Sequence, residues 1–209
     1  MFDLKGLPSD QLDFLRELEN IGAGHAVTAL SVMLGDNVEL CVPKAQFCAY
    51  NQICDLLKGP ENIVAGLLVG ISNDLNGYIL LVLDKPDAGL LTNMLIGELP
   101  ADESKTEIDD LSELQVSALK EVSNILIGSY LTAISSLTGF DIAASVPELV
   151  IDMAGAVMNL LVSAYGEYGD GVLFMETEFV TSNKSLFGRF FLIPDVESYN
   201  KLMVQMGLV

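Results

Sequence analysis

The chain has 209 residues, of which 51% are hydrophobic and 19% charged, a composition typical of a folded globular protein. Its 29 Asp and Glu against 10 Lys and Arg give a formal net charge of -19, which argues against binding to nucleic acid or to anionic lipid surfaces. The length suits one compact domain or two similar lobes that share a core.

The first half of the chain is predicted to open with a helix of about 25 residues, for which Ser9 is a suitable N-cap and Gly35 a suitable stop. Apolar alternation then predicts a strand at residues 38–42 that ends near Pro43. A short helix, a β-hairpin and a closing helix are predicted to follow, at residues 51–58, 63–71 with 78–83, and 86–96.

The second half repeats this order. A shift of 104 residues lays residues 15–43 onto 119–147 without a gap. Ser112, with Gln115 three residues later, forms a capping-box pattern at the start of the second long helix, and Gly139 is its predicted stop. A strand ending near Pro147 is predicted next, and then a helix at 153–164, strands at 172–180 and 186–193, and a helix at 195–206.

Residues 100–110 are polar and acidic, which marks them as the connection between the halves. We therefore divide the chain into half-repeats at 1–104 and 105–209, each carrying one copy of the motif described below, which together form one domain. The expected fold is α+β, with two pseudo-symmetric α-β-α-β-β-α halves. Their antiparallel strands share a sheet, and the long paired helices lie on its surface.

The residues that repeat best lie along one face of each long helix. At about 100° per residue, the repeated polar and small residues fall within a sector of roughly 80°, which we call the outer stripe. On the first helix it comprises Asp13, Glu17, Asn20, Gly24, Thr28, Ser31 and Gly35. On the second it comprises Ser117, Glu121, Asn124, Gly128, Thr132, Ser135 and Gly139.

The apolar positions behind the stripe vary between the copies, as at Val27 and its counterpart Leu131. A repeat kept only for packing should instead preserve its apolar positions, so the pattern favours a functional stripe. The alternative is that Glu17 and Asn20 are ordinary solvated residues and that Gly24 lets two helices pack closely.

These residues resemble the CheC, CheX and FliY phosphatases of bacterial chemotaxis. The family motif is Asp or Ser, three residues, Glu, two residues, Asn, twenty-two residues and Pro. The sequence satisfies it twice, as Asp13, Glu17, Asn20 and Pro43 (the first motif) and as Ser117, Glu121, Asn124 and Pro147 (the second motif). With two motifs and no added C-terminal domain, the chain is most similar to the CheC branch.

The resemblance implies that the substrate is phosphorylated CheY, whose own Mg²⁺ and lysine hold the aspartyl phosphate, so this chain is expected to bind no metal or cofactor. Asn20 and Asn124 would orient the attacking water, and Glu17 and Glu121 would dock on the regulator. Asp13, Ser117, Pro43 and Pro147 are expected to support these four. The receptor-modifying deamidase CheD is implied as a second partner.

The location and the cysteines suit this interpretation. Residues 1–10 lack the pattern of a secretory signal, and the longest apolar stretch, 149–166, is interrupted by Asp152 and Asn159, so cytoplasmic residence without membrane insertion is expected. The three cysteines are odd in number and form no CxxC pair, which indicates reduced thiols rather than disulfides or zinc. They are Cys41, Cys48 and Cys54.

The sequence offers three alternative functions. A catalytic triad would have to use His25, the single histidine, which has no strand-turn-helix elbow near it; we expect it to affect packing. A nucleotide-binding loop at Gly22-Ala23-Gly24 lacks the third glycine and a preceding strand. The serious alternative is a non-enzymatic adaptor that binds CheY or CheD through the same stripes.

Overall fold

A computed structural model of the chain describes residues 9–97, 111–165, 172–181 and 184–205; the side chains of residues 9–16, 19, 20, 23, 41–45, 47 and 162–165 fall outside this description. The first described segment forms α1 (Ser9–Leu34), β1 (Glu39–Cys48), a 3-10 turn (Tyr50–Gln52) leading into α2 (Ile53–Leu56), β2 (Ile63–Asn73), β3 (Gly77–Asp84) and α3 (Lys85–Ile96).

The remaining segments repeat the pattern with one additional break. They form α4 (Glu113–Thr138), β4 (Ile142–Ala144), β5 (Glu148–Met153), α5 (Ala154–Tyr165), β6 (Val172–Val180), β7 (Ser185–Pro194) and α6 (Val196–Gln205). The predicted α+β class with antiparallel strands is confirmed. Within the described residues, no helix is long and apolar enough to cross a membrane.

Two predicted boundaries are wrong. The first strand does not end near Pro43 but continues to Cys48, with a register shift between Cys41 and Lys44 where the proline interrupts the ladder. An edge strand tolerates proline because one side of its backbone needs no partner. The predicted helix at 51–58 is cut short because Lys58 and Gly59 adopt positive φ angles of 66° and 109°.

The second copy of that strand is split in two. β4 and β5 are separated at residues 145–147, where Ser145 leaves the ladder but stays tied to β2. The Ser145 backbone N–H donates to the Gly70 carbonyl at 2.9 Å, and the Ser145 hydroxyl accepts from the Gly70 N–H at 3.0 Å. The break therefore includes Pro147, while the equivalent position of β1 carries only a register shift.

The seven strands form one antiparallel sheet in which the halves exchange their first strands. The order is β1-β6-β7-β3-β2-β4, and β5 also pairs with β2. Thus β1 of the first half lies against the β6–β7 hairpin, and β4 and β5 of the second half lie against the β2–β3 hairpin. Each hairpin is completed by a strand from the other half.

The middle of the sheet is the antiparallel pair β3 and β7, which are the last strands of their respective halves. A two-fold rotation about an axis perpendicular to the sheet exchanges two neighbouring antiparallel strands. An axis of this kind between β3 and β7 would relate the two halves of the sheet approximately. The proposed boundary at residues 104 and 105 lies outside the described residues and stays a prediction.

Both faces of the sheet are covered. The long helices α1 and α4 pack on one face together with parts of α3 and α6, around fully buried Leu18, Leu126 and Tyr130. The Tyr130 hydroxyl shares a 2.8 Å hydrogen bond with that of Thr177 on β6. On the opposite face, α2 and α5 enclose a second core that contains Phe174. The long helices therefore have one apolar side against the sheet and one side facing outward.

The ends of α4 follow the capping prediction. Ser112 Oγ accepts from the Gln115 N–H at 3.3 Å, and Gln115 Oε1 accepts from the Ser112 N–H at 2.9 Å. At the other end, Gly139 has a φ of 75° and its N–H donates to the Ser135 carbonyl at 2.8 Å. These two caps fix the length of α4 at 26 residues.

One buried ionic cluster joins the two hairpins at the end of β3. Asp84 is 6% exposed and pairs with Lys58 and with Arg189 of β7, while Asn62 donates to it at 3.0 Å. Burial alone would raise the pKa of Asp84, but the Lys58 hydrogen bond and the Arg189 charge outweigh burial and hold it below its usual range. Arg189 also faces Glu176 at 3.4 Å.

We expect Asp84→Asn to destabilise the fold by roughly 3 kcal/mol, because it removes one of the two carboxylates that pair with the buried Arg189 guanidinium. Urea denaturation followed by circular dichroism measures the change. Asp55→Asn, at an exposed carboxyl on α2, is the matched control and should stay within about 0.5 kcal/mol. Equal stability of the two variants would contradict a stabilising cluster.

The lowered pKa of Asp84 also determines how the stability of the fold changes with pH. A carboxyl whose pKa is lower in the folded state stabilises the fold above its unfolded pKa, and that contribution is lost as the pH falls through the folded value. Acid should therefore weaken the wild-type chain more than Asp84→Asn, which urea titrations at successive pH values would show. Parallel acid sensitivity in the two proteins would contradict this.

Candidate functional site

The second motif lies on the outer side of α4. Ser117, Glu121 and Asn124 are all exposed, whereas Leu119 and Val122 between them are buried. Side chains three residues apart on a helix lie on the same face, about 5–6 Å from each other at Cβ. Glu121 and Asn124 therefore point away from the core as one carboxylate and amide pair.

The first motif occupies the equivalent part of α1. Glu17 is exposed and the neighbouring Leu18 is fully buried, so this helix has the same inward and outward sides. Asp13 and Asn20 lie within α1, and Pro43 lies within β1, but their side chains are outside the described residues. Of this motif, the structure places only the Glu17 side chain.

The long interval to the proline has a simple geometric meaning in the second motif. From Asn124 the chain runs roughly 21 Å to the end of α4 at Thr138, turns back through the short strand β4, and then reaches Pro147 in the break before β5. The Pro147 side chain is buried, which is consistent with support from beneath the helix.

The glycines of the outer stripe do not serve helix packing. A Cβ atom added at Gly24 or Gly128 would meet nothing within 4 Å. The packing glycine is Gly22, where a Cβ would lie 2.7 Å from Cδ1 of Tyr130 on α4. The sequence held a signal for this, because Gly22 is four residues from both Leu18 and Ala26 on the buried side of α1.

The far ends of the stripes have structural partners. Ser31 Oγ accepts from the Val38 N–H at 3.1 Å, and Ser135 Oγ donates to the Phe140 carbonyl at 2.6 Å. Both hydroxyls therefore fasten a long helix to the turn before the next strand. On α4, the described stripe residues Glu121 and Asn124 lie before this fastening point and are exposed.

Some residues near the motifs were missed or misjudged from the sequence. His25 was expected to affect packing, yet its ring is exposed on α1. Leu114, one turn before Ser117, is 65% exposed, and Val146, next to Pro147, is 80% exposed. Leu114 could have been found from its angle, which falls in the same sector as the outer stripe. Both are apolar surface beside the second motif.

The structure also excludes the nucleotide-binding alternative. Gly22, Ala23 and Gly24 lie in the middle of α1, so they do not form a phosphate-binding turn. No group of three or more His, Cys, Asp and Glu that could hold a metal occurs in the described part of the chain. Cys48 and Cys54 are not joined in disulfides, and burial chiefly raises the pKa of Cys54.

We expect Gly24→Ala with Gly128→Ala to raise the free energy of unfolding by about 1 kcal/mol or more, because alanine favours a helix and nothing obstructs its methyl group. Gly22→Ala is the matched control and should destabilise the fold, since its methyl group meets Tyr130. Thermal and urea unfolding measure both. Destabilisation by the outer pair would contradict an open outer face.

Comparison with known proteins is consistent with this geometry. The model of the CheC-like family matches residues 11–45 and 114–151, which contain both motifs. The chain is 33% identical over 206 residues to the CheY-P phosphatase CheC of Bacillus subtilis, covering 97% of this chain and 96% of that protein. It is also 29% identical over 147 residues to the flagellar motor switch phosphatase FliY of Bacillus subtilis, covering 70% of this chain and 37% of that one.

The fold is similar to a solved structure as well. The crystal structure of Thermotoga maritima FliY superposes with a TM-score of 0.73 at 21% identity, covering 97% of this chain and 98% of that one. That likeness shows the fold, whereas the 33% identity to CheC extends over nearly the whole sequence. The chain belongs to the CheC-like family.

Proposed function

We propose that this chain is a phosphatase that accelerates hydrolysis of the aspartyl phosphate of CheY, the substrate that the name of the Bacillus subtilis relative gives for that protein. The observation that carries the proposal is the exposed pair of Glu121 and Asn124 on one face of α4, in the spacing of the family motif. Neither side chain contributes to the core. Their position suits a partner rather than the fold.

The chemistry needs little from this chain besides position. An aspartyl phosphate is already activated, and its hydrolysis requires a water in line with the scissile P–O bond and neutralised charge on the phosphoryl oxygens. The regulator's Mg²⁺ and lysine would supply that charge. An acidic chain without a metal can then still act on a phosphate.

Asn20 and Asn124 would orient the water. A side-chain amide can accept a hydrogen bond from the water and donate one to a neighbouring oxygen, but it cannot act as a base at neutral pH. Its contribution is therefore geometric. A helix is a rigid base for such a side chain, and α4 is held in turn by its caps and by the Tyr130 contact with Thr177.

Glu17 and Glu121 would dock on the regulator's active-site lysine. An exposed carboxylate is accessible to a lysine of the partner. The charge-assisted hydrogen bond between them would hold the helix in one register on the partner. Asp13 and Ser117 would make a supporting contact one turn earlier. Pro43 and Pro147 would support the helices from the strands beneath.

The deamidase CheD is proposed as a second partner on the ground of the family resemblance. The opposite face of the sheet offers an apolar surface, where Leu160 of α5 is 55% exposed and Met153 is 45% exposed. A groove of about 80 Å³ lies beside Leu160, between α5 and the sheet. Four other residues of α5 are nevertheless buried in the second core: Ala154, Val157, Met158 and Leu161.

The combined substitution Asn20→Ala and Asn124→Ala should lower the catalysed rate by roughly 100-fold or more, because the attacking water is then no longer held in line with the scissile bond. The decay of phosphorylated CheY under excess Mg²⁺ is the measurement. Asn159→Ala, at an exposed asparagine on the opposite face of the molecule, is the matched control and should keep full activity. Full activity in the double variant would contradict the mechanism.

Replacing both carboxylates, as Glu17→Gln with Glu121→Gln, should act mainly on binding. We expect KM to rise by roughly tenfold, the loss of about 1.4 kcal/mol of charge-assisted binding, with a smaller change in kcat. Glu61→Gln, at an exposed carboxyl outside the motifs, is the control. A wild-type chain that binds CheY but leaves its phosphate decaying at the unassisted rate would favour the adaptor alternative.

A further inference from the structure

We infer that the two motifs share a single docking surface, so that one chain engages one phosphorylated regulator at a time. The inference rests on the proposed function and adds to it a stoichiometry and a direct competition between the motifs. It follows from the topology of the sheet and from the place where α1 and α4 touch.

The two motifs face the same way. Both long helices pack on the same face of the sheet, and their Glu17 and Glu121 side chains are exposed on the side away from it. A two-fold axis perpendicular to the sheet, as implied by the central β3–β7 pair, reverses any direction that lies in the sheet plane. The helices α1 and α4 therefore run side by side in opposite directions.

The contact between Gly22 and Tyr130 sets how far the helices are displaced along each other. Asn20 comes two residues before Gly22, and Asn124 comes six residues before Tyr130. Since the helices point in opposite directions, the two Asn positions are separated by roughly 12 Å along the helix axes. An interaxial distance of about 8–10 Å then gives a direct separation of roughly 15 Å.

That separation is shorter than the footprint of a docked protein. A standard interface covers about 800 Å² on each partner, equivalent to a disc of roughly 16 Å radius. A disc centred on Asn124 therefore reaches the position of Asn20 on the neighbouring helix. Two regulators, each a folded domain of roughly 30 Å diameter, cannot stand side by side on centres 15 Å apart.

The same geometry places one helix beneath a regulator docked on the other. The level of Asn124 along α4 corresponds to a position near Thr28 on α1, and the level of Asn20 corresponds to a position near Thr132 on α4. Both threonines are exposed. A regulator held by Glu121 and Asn124 would therefore rest on the α1 surface around Thr28.

The first test is stoichiometry. CheY activated with beryllofluoride and Mg²⁺ is titrated into the full chain by calorimetry, and the mass of the complex is measured by light scattering. We expect one regulator per wild-type chain, because a regulator held by one motif covers the other. Two regulators per wild-type chain would overturn the inference while leaving the proposed function intact.

The second test asks whether a bulky residue on one helix blocks the motif of the other. In the Asn20→Ala background only the second motif is active, and there Thr28→Tyr should lower kcat/KM by roughly tenfold or more by lifting the regulator off α1. Asn159→Tyr in the same background is the matched control and should have no effect. Unchanged kcat/KM with Thr28→Tyr would show independent sites and overturn the inference.

The reciprocal variant, Thr132→Tyr in the Asn124→Ala background, should impair the first motif in the same way. Circular dichroism checks that each variant keeps its fold. A wild-type chain that neither binds nor dephosphorylates the regulator contradicts the proposed function itself. That result is distinct from binding of two regulators, which contradicts only the shared surface.

Discussion

The exchange of first strands between the two halves is the constraint on which the rest of the structure depends. β1 finds its hydrogen-bond partners on β6, and β4 and β5 find theirs on β2, so each hairpin is widened only by the other half. Each long helix is connected to its exchanged strand by a turn of three or four residues. The helices are thus held across the middle of the sheet, where they meet.

That meeting makes two different demands on the two sides of α1. The inner side needs a residue without a side chain at Gly22, because the Tyr130 ring occupies the space. The outer side has no neighbour, yet it also carries a glycine at Gly24, where alanine would favour the helix. A residue that costs helix stability without easing internal packing is explained by the approach of something from outside, which is the role we propose for this surface.

Much of the fold could be predicted because local signals agree with it. The capping box at Ser112, the left-handed Gly139 and the run of β6 at 172–180 all lie where the sequence placed them. The errors occur where tertiary structure decides. The alternation before Pro43 predicts a strand end there. On an edge strand, however, the proline only shifts the register, and no local signal indicates that β1 is an edge strand.

The site divides in the same way. Glu121 and Asn124 could be predicted to be exposed because their spacing and the repeat put them opposite the apolar face. The distinct roles of Gly22 and Gly24 could not, since two glycines two residues apart differ only in which of them faces another helix. Nor could the Asp84 and Arg189 pair be foreseen, because 105 residues separate its members and only the β3–β7 pairing joins them.

Two motifs on a shared surface need not remain equal. The outer side of α1 presents an exposed His25 and a Val32 that is 80% exposed, whereas α4 has the buried Ser129 and the exposed Ser136 at the equivalent positions. With independent sites, such differences would only alter two separate rates. On one shared surface, these differences between α1 and α4 would determine which of two opposed orientations the regulator adopts, because occupation of one motif excludes the other. Divergence between the halves would then select a docking orientation and leave the total capacity for substrate unchanged.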